Sequence, residues 1–122
     1  MKYLCLCYDE EAKLKALPES EMDAIMHEVY AYNDELRKKG QLIASQRLES
    51  VETATTVRVR NGKLTTTDGP FAETKEQLGG FFLIEARDLN EAIQIASRLQ
   101  GARLGCIEVR PVMELAGLTV ER

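Results

Sequence analysis

At 122 residues, with 44% apolar and 30% charged side chains and a formal net charge of -4, the chain is sized for one domain spanning 1–122, and its composition excludes intrinsic disorder. No basic run offsets the acidic excess, so neither nucleic acid nor an anionic membrane is an expected partner. Residues 1–8 are too short an apolar run for a secretory signal, Asp9, Glu10 and Glu11 follow at once, and no stretch approaches the roughly 20 apolar residues of a membrane span, so a cytoplasmic location is expected.

Residues 2–8 alternate, with Tyr3, Cys5 and Cys7 on one face and Leu4, Leu6 and Tyr8 on the other. Both faces are largely apolar, which predicts a strand covered on both sides. Over residues 18–39 the period becomes helical: Met22, Ile25, Met26, Val29, Asn33 and Leu36 make one stripe. Pro18 suits the first helical turn, Glu19, Glu21 and Asp23 its positive end, Arg37, Lys38 and Lys39 its negative end, and Gly40 its stop. Residues 41–48 predict a second strand, and the β-branched run 53–60 a third. Asn61-Gly62 turns that strand into residues 63–67, because both central positions of such a hairpin need positive φ. A loop of unusual composition occupies 68–80, and residues 80–86 return to a strand with Phe81, Phe82, Leu83 and Ile84. Asp88 and Glu91 form a D-x-x-E pattern that opens a second helix with the stripe Leu89, Ala92, Ile93, Ala96 and Leu99, stopped by Gly101. Residues 106–112 are the last strand and 113–122 a short tail.

Stripped of the inserted hairpin, the order is β-α-β-β-α-β, an α+β chain of ferredoxin-like type. A doubly wound α/β domain would want more helices and a Gly-rich first turn. In the ferredoxin-like arrangement both helices cover one sheet face and leave the other bare. That face is apolar at its centre and carries Arg58, Arg60, Glu85, Glu108 and Arg110 at its margins. Two copies facing each other through it would form a homodimer, a dimeric α+β barrel with room for a small-molecule ligand. The same charges on an open, solvated sheet are the alternative.

The 3 cysteines give no disulfide framework, and without a fourth ligand Cys5, Cys7 and Cys106 read as small buried hydrophobes rather than as a metal site. No Gly-rich phosphate loop is present either, so neither metal nor cofactor is expected. Asn33 interrupts an apolar stripe and must find partners if buried. Tyr8, Tyr30 and Tyr32 fit ligand contact or amphipathic packing equally. His27, the 1 histidine, lies roughly 150° from the stripe's centre and points towards solvent.

The most specific string is Asp68-Gly69-Pro70-Phe71-Ala72-Glu73-Thr74-Lys75-Glu76. Its first three residues make a turn: Asp bonds its own downstream backbone, Gly tolerates any φ, and Pro fixes the exit. Phe71 and the mixed charges of Glu73, Lys75 and Glu76 are not explained by a turn. A carboxylate at a strand end beside an aromatic ring suits general acid–base work. The string resembles the name-giving motif of the DGPF (DGPFAETKE) family, a branch of the YCII-related proteins. The likeness runs through Gly79-Gly80-Phe81 and the second helix to Val109-Arg110-Pro111-Val112. That resemblance implies a ferredoxin-like dimeric barrel, proposed enzymes that use an Asp and a His near the barrel cleft, and genes found beside those of alternative sigma factors. The expected site therefore lies between the helix-free face and the loop. Asp68 would be its catalytic group, and Gly69, Pro70, Phe71, Glu73, Lys75, Arg58 and Arg110 would contact the substrate. A cofactor-independent lyase, isomerase or hydrolase, a non-catalytic ligand sensor tied to sigma-factor regulation, and a plain dimerisation module all fit these residues.

Overall fold

Why the chain divides as it does is visible in a computed structural model that describes residues 1–114. The elements run β1 (Lys2–Asp9), α1 (Glu11–Lys15), α2 (Glu19–Lys38), β2 (Leu42–Arg47), a single 3-10 turn (Val51–Thr53), β3 (Thr55–Arg60), β4 (Lys63–Asp68), β5 (Gln77–Glu85), α3 (Leu89–Ser97), α4 (Gly101–Leu104) and β6 (Cys106–Pro111). Of the tail expected at 113–122, residues 115–122 lie outside the described residues.

Four strands pair in the order β2-β5-β1-β6, antiparallel throughout. Tyr3 and Cys5, opposite Ile84 and Phe82 on β5 and Pro111 and Val109 on β6, face the core. There they meet Tyr32 and Leu36 of α2 and Ala92, Ile95, Ala96 and Leu99 on and just after α3. Both long helices thus cover one side of the sheet, and the first and last strands are neighbours. The apolar residues of alternate parity, Leu4, Leu6, Phe81 and Leu83, form the opposite side and are half-buried.

Local chemistry sets the helix ends. Pro18 is extended and caps α2 from outside, one position before the expected first turn. At the other end Gly40, at φ 71°, lets Gln41 N–H reach the Leu36 carbonyl at 2.9 Å and its own N–H reach Arg37 at 3.0 Å, a Schellman closure. Asp88 caps α3 by accepting from Glu91 N–H at 2.9 Å, while the Glu91 side chain accepts from Arg87 N–H.

Several expectations are corrected. Leu89 and Ile93 are exposed, and Ile95 takes the buried place, because two alanines, Ala92 and Ala96, form the contact line of α3 and rotate the flanking residues outwards. Gly101 does not stop α3, which ends at Ser97 with Arg98 as its cap; it opens α4 beside Cys7, where even a Cβ would make only ordinary van der Waals contact. β3 and β4 do not join the main sheet but form a two-stranded one, so Arg58 and Arg60 are not on its bare face. Cys106 is exposed, Cys7 half-buried and Cys5 buried, so only one of the three is a fully buried hydrophobe. The five-residue α1 has no apolar stripe and went unread. Among the described residues, no helix is long and apolar enough to cross a membrane.

Candidate functional site

The two halves of α2 meet the sheet differently. From Tyr32 onwards the helix is seated, with Tyr32, Asn33 and Leu36 buried, whereas Met22, Ile25, Met26 and Val29 are only half-buried. The sheet beneath those four offers small residues at Cys7, Gly80 and Ser45, with Phe82 the one large side chain among them. A bulge on β5 lets Gly79 slip between the partners of Cys7 and Tyr8, and bulges re-aim neighbouring side chains. Long residues above a mostly short floor leave an open-mouthed cavity of about 870 Å³, bordered by residues of α1 and α4. It lies on the helix-covered side, not on the bare one.

Asp9 enters this space because it continues the parity of Cys5 and Cys7 to the last residue of β1. Its carboxyl packs on the exposed backbone of Gly79, where a Cβ would stand 3.1 Å from Oδ2. Partial burial raises the Asp9 pKa above its ordinary value. Arg47 opposes that shift, and the nearby negative charges of Glu11 and Glu76 add to it. Glu11 behaves oppositely: N–H of Val51 at 2.8 Å and Oγ–H of Ser50 at 2.9 Å donate to its carboxylate and hold its pKa low. Two carboxylates two residues apart thus have their acidities driven in opposite directions, the environment in which one accepts or releases a proton while the other stays ionised.

Arg47, the last residue of β2, arches over the mouth to donate to the Met26 thioether at 3.8 Å. Cys7 faces the cavity as a neutral thiol, its pKa pushed up to about 12, chiefly by burial, and Cys5 is raised to about 11 for the same reason. Asn33 also borders the cavity. Among the described residues it is the one buried polar side chain, and its Oδ1 has no hydrogen-bond partner. Tyr32 settles as packing, donating to the Ile95 carbonyl at 2.9 Å beneath the Arg98 guanidinium. Tyr30 and His27 are exposed. Among the described residues, no group of three or more His, Cys, Asp or Glu is placed to hold a metal ion.

The residues expected to form the site are dispersed. Asp68 ends β4 opposite Thr55 and is exposed. Gly69, at φ 97°, turns the chain and donates to the Ala54 carbonyl at 2.7 Å. Pro70 and Glu73 are exposed, and Phe71 is 82% so. Arg58 projects from the hairpin, and Arg110 pairs with Glu108 on the main sheet's bare face. None of these, nor Lys75, borders the cavity. The far end of the string comes closest: Lys75 lies 3.8 Å from Glu10, and the Gln77 side chain accepts from Glu11 N–H at 3.2 Å, capping α1 at the cavity's rim. Sequence reasoning missed Asp9, Ser45 and Arg47. The alternation of Cys5 and Cys7 continues to Asp9, but the expected strand stops at Tyr8, and the acidic run 9–11 speaks only against a secretory signal.

The YCII-related domain, compared as a family, matches residues 1–116. An uncharacterized protein of Rhizobium meliloti (strain 1021) is 39% identical over 114 residues, which is 92% of this chain and 92% of that relative.

Proposed function

The chain belongs to the YCII-related domain family, and on that premise we propose that it binds a small organic molecule under α2 and moves a proton with the Asp9 carboxyl. The observation that carries this reading is the meeting of that carboxyl, raised in pKa by burial, with a cavity walled by Met22, Ile25, Met26 and Val29. An apolar wall thins the water around the group, and a carboxyl poised above its usual range exchanges protons more readily near neutrality. The chemistry that needs no more than this is proton abstraction beside a carbonyl and its return, the common step of isomerases and many lyases. A non-catalytic sensor is the second reading. It is favoured by the contacts of Lys75 and Gln77 with α1, through which an occupied cavity would act on the 68–76 loop, the segment that suggests the DGPF branch and its sigma-factor association.

The strand order β2-β5-β1-β6 with both helices on one side supports a ferredoxin-like fold, and the half-buried apolar face of Leu4, Leu6, Phe81 and Leu83 supports a homodimeric barrel. Acid–base work at Asp68 is the competing assignment within the enzyme reading. Proton NMR in heavy water over a panel of small carbonyl compounds separates the two. Wild type and Asp68→Asn should exchange the proton next to the carbonyl of at least one compound, and Asp9→Asn should lose that exchange. Exchange kept by Asp9→Asn and lost by Asp68→Asn would move the chemistry to the loop.

A further inference from the structure

The rim of the cavity carries acids and cations in equal number, but they are unequally paired. Three of its four acids are already engaged: Glu11 by Ser50 and Val51, Glu28 by the Gln100 amide, and Asp34 by Lys38 at 3.2 Å; Asp9 feels the Arg47 charge but, among the described residues, forms no ion pair. Of its cations Arg98 pairs with Glu35, whereas among the described residues Lys15, Arg37 and Arg47 form no ion pair. Arg47 is the most telling of them. A guanidinium is a planar fork of five donors matched to a carboxylate, yet its side-chain acceptor here is the weak Met26 thioether. A carboxylate would displace that contact at little cost.

Distance along α2 gives the other end of the ligand. Asn33 lies seven residues beyond Met26, roughly 10 Å along the helix axis. It stands where the helix settles on the sheet, with Oδ1 buried and unpartnered. The stretch between is apolar, bordered by Val29 above and Phe82 below. An unpaired cation at the mouth, an apolar run, and an unmet polar atom at the inner end make a linear pattern. Resting on the reading that the cavity binds a small molecule, we infer that the ligand is an organic monocarboxylate of medium length. Its carboxylate is held by Arg47 and its apolar chain lies under α2. A hydroxyl or similar donor at the far end is met by the Asn33 amide. Asp9, beside Arg47 at the rim, then stands next to the carbon that bears the carboxylate.

Isothermal titration of the intact protein with octanoate, octanol and octylammonium tests this. Octanoate should bind about tenfold or more tighter than octanol, the size of a charge-assisted hydrogen-bonded pair, and octylammonium should bind weakest. Arg47→Met should erase the preference for octanoate and leave the octanol affinity in place. ω-Hydroxyoctanoate should bind tighter than octanoate to wild type but not to Asn33→Leu. Octanol equal to octanoate, or a preference that survives Arg47→Met, would overturn the carboxylate assignment while leaving the cavity as a binding site. No binding of any of the three would overturn the cavity reading itself. Val29→Trp, which fills the space, should abolish binding of all three; binding that persists in it lies elsewhere on the protein and overturns the assignment.

Discussion

Asp9 holds a charge where the protein makes that charge costly, and the cost can be read without any ligand. Its pKa is raised in the folded state, chiefly by desolvation, so the native protein binds this proton more tightly than the unfolded chain does. Stability from that proton is complete below the ordinary carboxylate pKa and is lost as pH rises through the raised one. Asp9→Asn should therefore melt at a higher temperature than wild type near pH 7, and the gap should close as the pH is lowered past the ordinary aspartate range. An Asp9→Asn protein less stable than wild type at neutral pH would mean that the Arg47 attraction outweighs burial. A stabilising substitution at a group proposed to act on substrate is the signature of a site that trades stability for chemistry. At this scale the sequence was readable in part. The parity of Cys5 and Cys7 continues to Asp9, one residue past the expected end of the strand, so Asp9 was missed, whereas Asn33 declared itself by breaking an apolar stripe. Arg47 and Ser45 gave no signal, because a register shift in β2 between Leu42 and Ala44 breaks the alternation and sets Ser45 and Arg47 opposite Phe82 and Gly80.

Elements carry the same lesson in their glycines. Gly105 joins α4 to β6, and a Cβ there would fall far inside van der Waals contact with the Tyr8 carbonyl oxygen, with the Asp9 Cα also close. The neighbour is backbone and cannot swing aside, so Gly105→Ala must push β6 away from β1. A cost of roughly 3 kcal/mol or more follows, seen as a large fall in the urea midpoint or as loss of soluble protein. Gly40→Ala is the control: it strains a positive φ of 71° but meets nothing within 4 Å, and should cost about 1 kcal/mol. If the two cost the same, the close approach of β1 and β6 at Tyr8 is wrong. Periodicity, the β-branched run 53–60 and the Asn61-Gly62 turn together foretold the strands and both long helices. Partnership of the hairpin escaped them. Val57 and Val59 alternate with Thr56, Arg58 and Arg60 as a half-buried strand would, yet both valines are exposed, as is Leu64. Alternation tells which residues share a face and is silent on what covers it.

Taken whole, the molecule has an apolar burden on two surfaces that residues 1–114 leave unpacked: the bare sheet side with Leu4, Leu6, Phe81 and Leu83, and the hairpin face with Val57, Val59 and Leu64, paired so that all three lie together. A two-stranded hairpin by itself is marginal in water, and a one-sided sheet with an apolar centre gains most by meeting a second sheet. A second copy supplies one at no cost in new sequence, and closed two-fold pairing is the commonest outcome for such surfaces. Light scattering on the eluting protein should then give twice the chain mass. Leu6→Glu, which sets a carboxylate at the centre of the bare face opposite Phe81 and Glu108, should give a monomer. Because Leu6 and Cys7 point to opposite sides of the same strand, the cavity under α2 should survive that change, and octanoate should bind the monomer as it binds wild type. A monomeric Leu6→Glu that has lost octanoate would show that the second copy completes the site, and a wild type already monomeric at micromolar concentration would leave both apolar surfaces to some other partner. The sheet, on this view, separates two tasks: one side makes the assembly, the other holds the ligand, and a substitution on either side can be judged without disturbing its opposite.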